Sequence, residues 1–343
     1  MPSPEAFIVD PLVRPRRFRV TVMGDARIDL RAELRQRRFV EVTSDHHEQV
    51  NIATHVGGTA MSFAEAAVSH FAEVRVLAAV GDDPWTSEIV NACADLGVTP
   101  CLQTLPGVAN ALVVVLRDAR TADHPDGVRL LVAQAPAPYD QLDESAVSRF
   151  DSSIADADAL VIDGYALLHE SSARGLDLAT RIADAAGVPV CFDLVPHRLD
   201  QHVGWPRLVP LLRRSSLVVT EAHTLARLLG VPIADPFGAQ DAADLVGLLP
   251  EAVAGPRRTW FVRFGHGMMD ETVAISPGHH RSYYRTGYRQ SDQIAGYGYR
   301  VGAAELKWWL TNAANAPGMA SVLDRLGHVS VSPELISTTP GRG

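Results

Sequence analysis

The sequence predicts an α/β fold: a mainly parallel sheet with helices on both faces and a small strand-built appendage. Two observations carry this. From residue 150 onward, short apolar runs alternate with helical stretches closed by glycine, the rhythm of strand–helix–strand units. The 343 residues are 47% hydrophobic and 21% charged, enough apolar material for a sizeable core. No internal repeat and no long linker divides the chain.

Residues 1–17 read as a polar, proline-bearing tail, and 18–335 as a single domain. FRVTVMGD (18–25) is a buried strand meeting a loop. Residues 36–56 alternate apolar and polar in places and read as exposed strands. GGTAMSFAEAAVSHFA (57–72) opens on Gly57 and Gly58 and continues as an alanine-rich helix. VRVLAAVGDD (74–83) is a second buried strand, and TSEIVNACADLGV (86–98) an amphipathic helix closed by Gly97. ALVVVLRD (111–118) is a strand. The later strands are expected at 158–165, 188–196, 216–222 and 258–267, with helices at 172–187, 208–215 and 223–230 between them. Segments from about 31–56 and 103–135 supply the appendage.

The chain has 31 Lys+Arg against 40 Asp+Glu, a net charge of −9. A phosphate-binding face needs a basic excess, so nucleic acid is not the expected partner. No apolar stretch reaches the ~18–20 residues of a membrane span. The N-terminus places acidic residues and prolines ahead of its basic cluster, the reverse of a secretory signal. The expected location is cytoplasmic. Cys93, Cys101 and Cys191 form no CxxC pair and read as reduced, buried thiols. The pairs His46–His47 and His279–His280 point to opposite faces of a strand and make poor chelates, so no metal-ligand cluster is read there.

Several fragments, in order, resemble the PfkB (ribokinase-like) family of sugar and nucleoside kinases. VMGDARIDL (22–30) resembles the family's first strand and its substrate-contacting Asp, here Asp29. VGGTAMSFAEAA (56–67) resembles its glycine-pair signature, with Ser62 where the family carries Asn. AAVGDDPWTSEIVNACADLGV (78–98), FDLVPHRLDQHVGW (192–205) and VVTEAHTLARLLG (218–230) resemble three further segments. The resemblance implies a three-layer sandwich with a mainly parallel central sheet and a small β lid. It implies ATP and Mg2+ as cofactors, and phosphoryl transfer to a hydroxyl of a small sugar- or nucleoside-like substrate. It also implies a homodimer through the lid.

The same resemblance assigns the site. Asp29, Gly57, Gly58 and Ser62 fall on the substrate side. Asp193, Thr220, Gly265, Gly267, Gly296 and Gly298 fall on the nucleotide side. The family's base sits in a Gly-Ala-Gly-Asp loop opening a late helix. Here SDQIAGYGYRVGAAELKWW (291–309) puts Tyr297 at that position, or Gly298 in the neighbouring register. A tyrosine with an ordinary pKa of ~10 is a poor base at neutral pH. Asp292 is the nearest carboxylate and the displaced-base candidate, and a solvated loop residue is its plainer reading. Two functions follow: a kinase whose base is replaced, or a non-catalytic pseudokinase that binds a small molecule or regulates. The aromatic group Tyr283, Tyr284, Tyr288, Tyr297 and Tyr299, interleaved with arginines, reads either as a docking surface for a base or partner or as a late hairpin.

Overall fold

In the computed structural model, the described residues are 17–121, 127–194, 201–233, 237–250, 253, 258–264, 271–275, 281–285 and 297–314. The apolar run after residue 18 forms β1 (Arg19–Met23). It leads through a three-residue turn into β2 (Arg27–Glu33). β3 (Ile52–Gly57), α1 (Thr59–Ala67), β4 (Glu73–Val80), α2 (Trp85–Leu96) and β5 (Thr99–Thr104) follow. β6 (Leu112–Arg117) and β7 (Arg129–Ala133) come next, then short helices α3 (Glu144–Ser148) and α4 (Asp151–Ala155). The second half runs β8 (Ala159–Asp163), α5 (Glu170–Ala186), β9 (Val190–Asp193), α6 (Trp205–Arg214), β10 (Ser215–Glu221) and α7 (Ala222–Leu229). It closes with α8 (Ala239–Gly247), β11 (Thr259–Phe264), β12 (Glu271–Ile275), β13 (Arg281–Arg285) and α9 (Tyr297–Ala314).

Nine strands form one sheet in the order β13-β12-β11-β10-β9-β8-β1-β4-β5. It is parallel from β5 to β11, and β12 and β13 add an antiparallel edge. Of the aromatic group, Tyr283 and Tyr284 lie in β13 on that edge, Tyr284 opposite Thr272, whereas Tyr297 and Tyr299 belong to α9 and Tyr288 lies outside the described residues. The strands are apolar on both faces because helices cover both faces. Along β4, Val76 and Ala78 point into one apolar cluster and Leu77 and Ala79 into the other. α1, α2 and α9 pack on the first side through Met61, Phe63, Ile89 and Trp309. α5, α6 and α7 pack on the second through Leu176, Leu208 and Leu225. The result is a three-layer α/β sandwich with the sheet in the middle. Gly97 ends α2 at φ +69°, where a side chain would be strained.

The lid is a separate four-stranded sheet, ordered β3-β2-β6-β7. Its bounds correct the sequence-based expectation in three places. It begins at Arg27 rather than near residue 31, and its second half begins at Leu112, because 103 and 104 belong to β5 of the central sheet. Of residues 36–56 only Ile52–Gly57 is a strand, and Phe39–Glu41 is a 3-10 turn. The polar side chains there take backbone donors that a ladder would need. The Arg35 N–H donates to Glu48 (2.8 Å), that of Arg38 to Glu41 (2.9 Å) and that of Phe39 to Asp118 (3.1 Å).

All three cysteines are free and buried. Among the described residues, no helix is long and apolar enough to cross a membrane.

Candidate functional site

Open α/β sheets bind ligands beyond the carboxyl ends of their strands, where helix N-termini also gather. Here β1, β8, β9 and β10 deliver Asp25, Asp163, Asp193 and Glu221 to that edge. The closest approach is between β1 and α1. A Cβ on Gly24 would lie 2.6 Å from Thr59 Oγ1 and 2.7 Å from Asp163 Oδ2. Gly58 opens α1 at φ +95°, and a Cβ there would run into the Asp25 carbonyl oxygen, so only glycine fits. That carbonyl accepts the Ala60 N–H (3.0 Å), tying the turn to the helix start.

Asp163 is the centre of this corner. Its Oδ2 accepts the Thr59 hydroxyl (2.5 Å). Its Oδ1 accepts the Tyr165 N–H (2.8 Å) and the Tyr139 hydroxyl (3.2 Å). Burial pushes Asp163 up to about 7, against the pull of the Thr59 and Tyr165 bonds, and the charges of Asp25 and Asp193 push the same way. Asp25 is also raised by burial, although Arg27 lies 3.0 Å away and opposes the shift. Glu221 rises to about 7 through burial first, with Asp193 adding and Arg263 opposing. This edge therefore concentrates carboxyl groups that hold protons near neutrality, the range useful to a general base.

The opposite wall is α9. Its Tyr299 joins Thr59, Phe63, Asp163 and Asp193 around a cavity of about 10 Å³, room for roughly one water. Burial, with Asp193 and Asp163 nearby, drives the Tyr299 hydroxyl far above its usual pKa, so it stays protonated. Behind it, Arg263 Nη2 of β11 donates to Glu305 Oε2 of α9 (2.6 Å) in a fully buried ion pair.

Asp29 does not cap the loop after β1. It sits inside β2, because the turn after β1 is only three residues long. Its side chain reaches Gly57: a Cβ there would be 2.5 Å from Asp29 Oδ2. Arg31 donates to it (2.9 Å), and Arg27 lies 3.7 Å away. Ser62 is half-buried one turn into α1 and lies outside the cavity lining, which α1 reaches through Thr59, Ala60 and Phe63. Asp193 lines the cavity. Thr220 is buried within β10, its hydroxyl donating to the Glu221 carbonyl (3.3 Å). Tyr297 and Gly298 are the first two residues of α9. Gly265, Gly267, Asp292 and Gly296 lie outside the described residues.

Sequence reasoning passed over Asp25, Thr59, Asp163 and Arg263, and named Tyr299 only within an aromatic group. Asp163 had a usable signal. DALVIDGY ends a buried strand on Asp-Gly, much as VMGD ends β1 on Gly-Asp.

The model of the pfkB family carbohydrate kinases matches residues 17–264, well over half of the chain. No curated protein matches. Among solved structures, a ribokinase from Giardia lamblia superposes with a TM-score of 0.69 at 12% identity, over 92% of this chain and 92% of that one. An adenosine kinase from Sinorhizobium meliloti gives 0.65 at 18%, over 92% of each chain. A fructokinase with bound ATP from Xylella fastidiosa gives 0.62 at 19%, over 94% of this chain and 90% of that one. These likenesses show the fold. Taken with the family match across both sheets, they establish that the chain belongs to the pfkB family of carbohydrate kinases.

Proposed function

We propose that this protein binds a small sugar- or nucleoside-like ligand between the lid and the carboxyl edge of the central sheet. It then transfers the γ-phosphoryl of ATP to one of the ligand's hydroxyls, with Asp163 as general base. Asp163 carries this reading. It is a buried carboxyl in the cavity, held by Thr59, Tyr139 and the Tyr165 N–H, and raised to about 7. A base with a pKa near the working pH is in the right state to take a hydroxyl proton as the oxygen attacks. Asp29 and the Gly57–Gly58 turn supply the acceptor and the open backbone for the ligand's other hydroxyls.

The donor set suits magnesium. Asp193 and Glu221 end adjacent parallel strands, and the Asp193 charge disfavours that of Glu221. A hydrated divalent cation held by these two oxygens would relieve that repulsion. Mg2+–ATP, when bound, supplies the phosphoryl group and neutralises its charge. The N-terminus of α9, beside Tyr299 at the cavity, is the end of a helix that favours phosphate oxygens.

A second reading has a specific observation behind it. Tyr297-Gly298-Tyr299 opens α9 without a carboxylate, and Tyr299 lines the cavity beside Asp163. A pseudokinase that keeps the ligand pocket and binds or regulates accounts for this. ADP release over a panel of sugars and nucleosides, together with Mg2+–ATP calorimetry, separates the two. The kinase reading expects slow turnover lost in Asp163→Asn and kept in Tyr297→Phe. Turnover lost in Asp292→Asn and kept in Asp163→Asn moves the base to Asp292. Absence of ATP binding and of turnover establishes the second reading.

We also infer a homodimer through the lid, in the cytoplasm. β7 is an edge strand that exposes Leu130, Leu131 and Val132, and such an edge is a template for pairing. Sedimentation showing a monomer at micromolar concentration overturns the dimer.

A further inference from the structure

Two arginines face each other across the lid with no described carboxylate to neutralise them. In the antiparallel ladder of β6 and β7, Arg117 stands directly opposite Arg129. Like charges in that position destabilise a sheet. Both are half-buried, and neither makes a side-chain hydrogen bond or ion pair among the described residues. The carboxylate beside Arg117 in the ladder is Glu33 of β2, and Arg120 engages it at 3.2 Å.

Register decides where these side chains point. Strand side chains alternate, so positions 27, 29, 31 and 33 of β2 share a face with 113, 115 and 117 of β6 and with 133, 131 and 129 of β7. Asp29 on this face packs against Gly57 at the site. Arg27 on the same face meets Asp25 at the end of β1. The arginine pair is therefore on the cleft side of the lid. Burial, with Arg117 and Arg31 close by, lowers the proton affinity of Arg129, while Tyr165 and Asp29 work the other way. Arg129 thus lies within electrostatic reach of the turn that follows β8.

The face divides by charge. Toward the sheet edge it meets Asp25 through Arg27, beside the carboxyl groups that suit hydroxyl groups and a cation. At its outer end it presents Arg31, Arg117 and Arg129. Arg31 holds Asp29 (2.9 Å), and among the described residues no carboxylate is paired with the other two. Guanidinium forks match the paired oxygens of phosphate and carboxylate.

We propose that Arg117 and Arg129, with Arg31 beside them, form a subsite for an anionic group carried by the ligand. The substrate is then a sugar bearing a phosphate or a carboxylate at the end remote from the reacting hydroxyl. This rests on the reading of the cleft as a site for a hydroxylated small molecule, and it is independent of phosphoryl transfer.

Calorimetry on the full chain without ATP tests it, with fructose 6-phosphate, gluconate and fructose as probes. At least one anionic probe is expected to bind tenfold or more tighter than fructose, and whichever binds tighter names phosphate or carboxylate as the anion. Arg117→Gln and Arg129→Gln should each remove that preference while leaving fructose affinity unchanged. Melting of the ligand-free variants is a second readout, expected to stay level or rise because a like-charge pair has been relieved. Fructose bound as tightly as both anionic probes overturns the inference alone, as does a preference that survives Arg129→Gln. No binding by any of the three overturns it together with the sugar-site reading.

Discussion

The β1–α1 corner and the start of α9 face each other across one small cavity, and they are built in opposite ways. The corner is defined by missing side chains. Gly24, Gly57 and Gly58 let three elements meet so closely that a Cβ on any of them would strike Thr59, Asp29 or the Asp25 backbone. The α9 side is defined by large ones. Tyr299 lines the cavity, and behind it a buried arginine and glutamate tie the helix to β11. The glycines read in the sequence as a signature pair fall at the corner, where the packing leaves no room for a side chain. The start of α9 carries Tyr297, Gly298 and Tyr299. One side of the cavity constrains the backbone, and the other is shaped by side chains.

Perturbing each side separately sharpens this contrast. The largest effect is expected on the α9 side. Glu305→Ala leaves Arg263 charged in the core, and removing one partner of a buried pair costs about 3–5 kcal/mol. Denaturant unfolding should show it, and Arg263→Leu with Glu305→Leu should recover most of the loss. A cost under ~1 kcal/mol would mean that the ion pair does not hold the helix. At the corner, Gly58→Ala forces a side chain onto φ +95°. It should destabilise by about 2–3 kcal/mol through strain and clash, whereas Gly298→Ala inside α9 should stabilise or change little. If the two glycines respond alike, the corner is not the tighter half.

Next in size, Asp29→Asn should weaken ligand binding by about 1–3 kcal/mol, as lost charge-assisted hydrogen bonds do. Calorimetry with the tightest-binding sugar measures this, and unchanged affinity takes Asp29 out of the site. The smallest effect is a pH slope. Asp163 and Glu221, both raised to about 7, hold protons more tightly folded than unfolded. Their stabilising contribution is complete below the ordinary carboxylate range near pH 4 and is lost as pH climbs through about 7. The melting temperature should fall by about a few degrees between pH 5 and pH 8. Asp163→Asn should flatten the fall, and a melting temperature that rises over this interval contradicts the protonated corner.

Much of the scaffold was legible in the chain. Buried strands announce themselves as continuous apolar runs, so β1 and β8 lie within the segments read for them, and β4 and β10 start one residue before theirs. Glycine marks a helix end wherever the backbone must turn left-handed, as at Gly97. The lid was read less well. Its alternation at 36–56 mimicked strands, but the acidic side chains there bond to backbone N–H groups and win over a ladder.

By itself the sequence determined the layers, because the faces that must be buried leave a period in the chain: near-continuous for a strand covered on both sides, helical for one covered on one side. It also brought forward Asp29 and the glycine pair, through their order along the chain. Only the tertiary structure decided what meets what at the site. Thr59 and Asp163 are 104 residues apart and Arg263 and Glu305 42 apart, and each pair meets only because the folded chain brings distant elements together. Arg117 and Arg129 are nearer in sequence, but their confrontation is a matter of ladder register. A one-residue slip would send either side chain to the other face. Burial writes itself into local periodicity, whereas the partner of a polar group is chosen by the path of the whole chain.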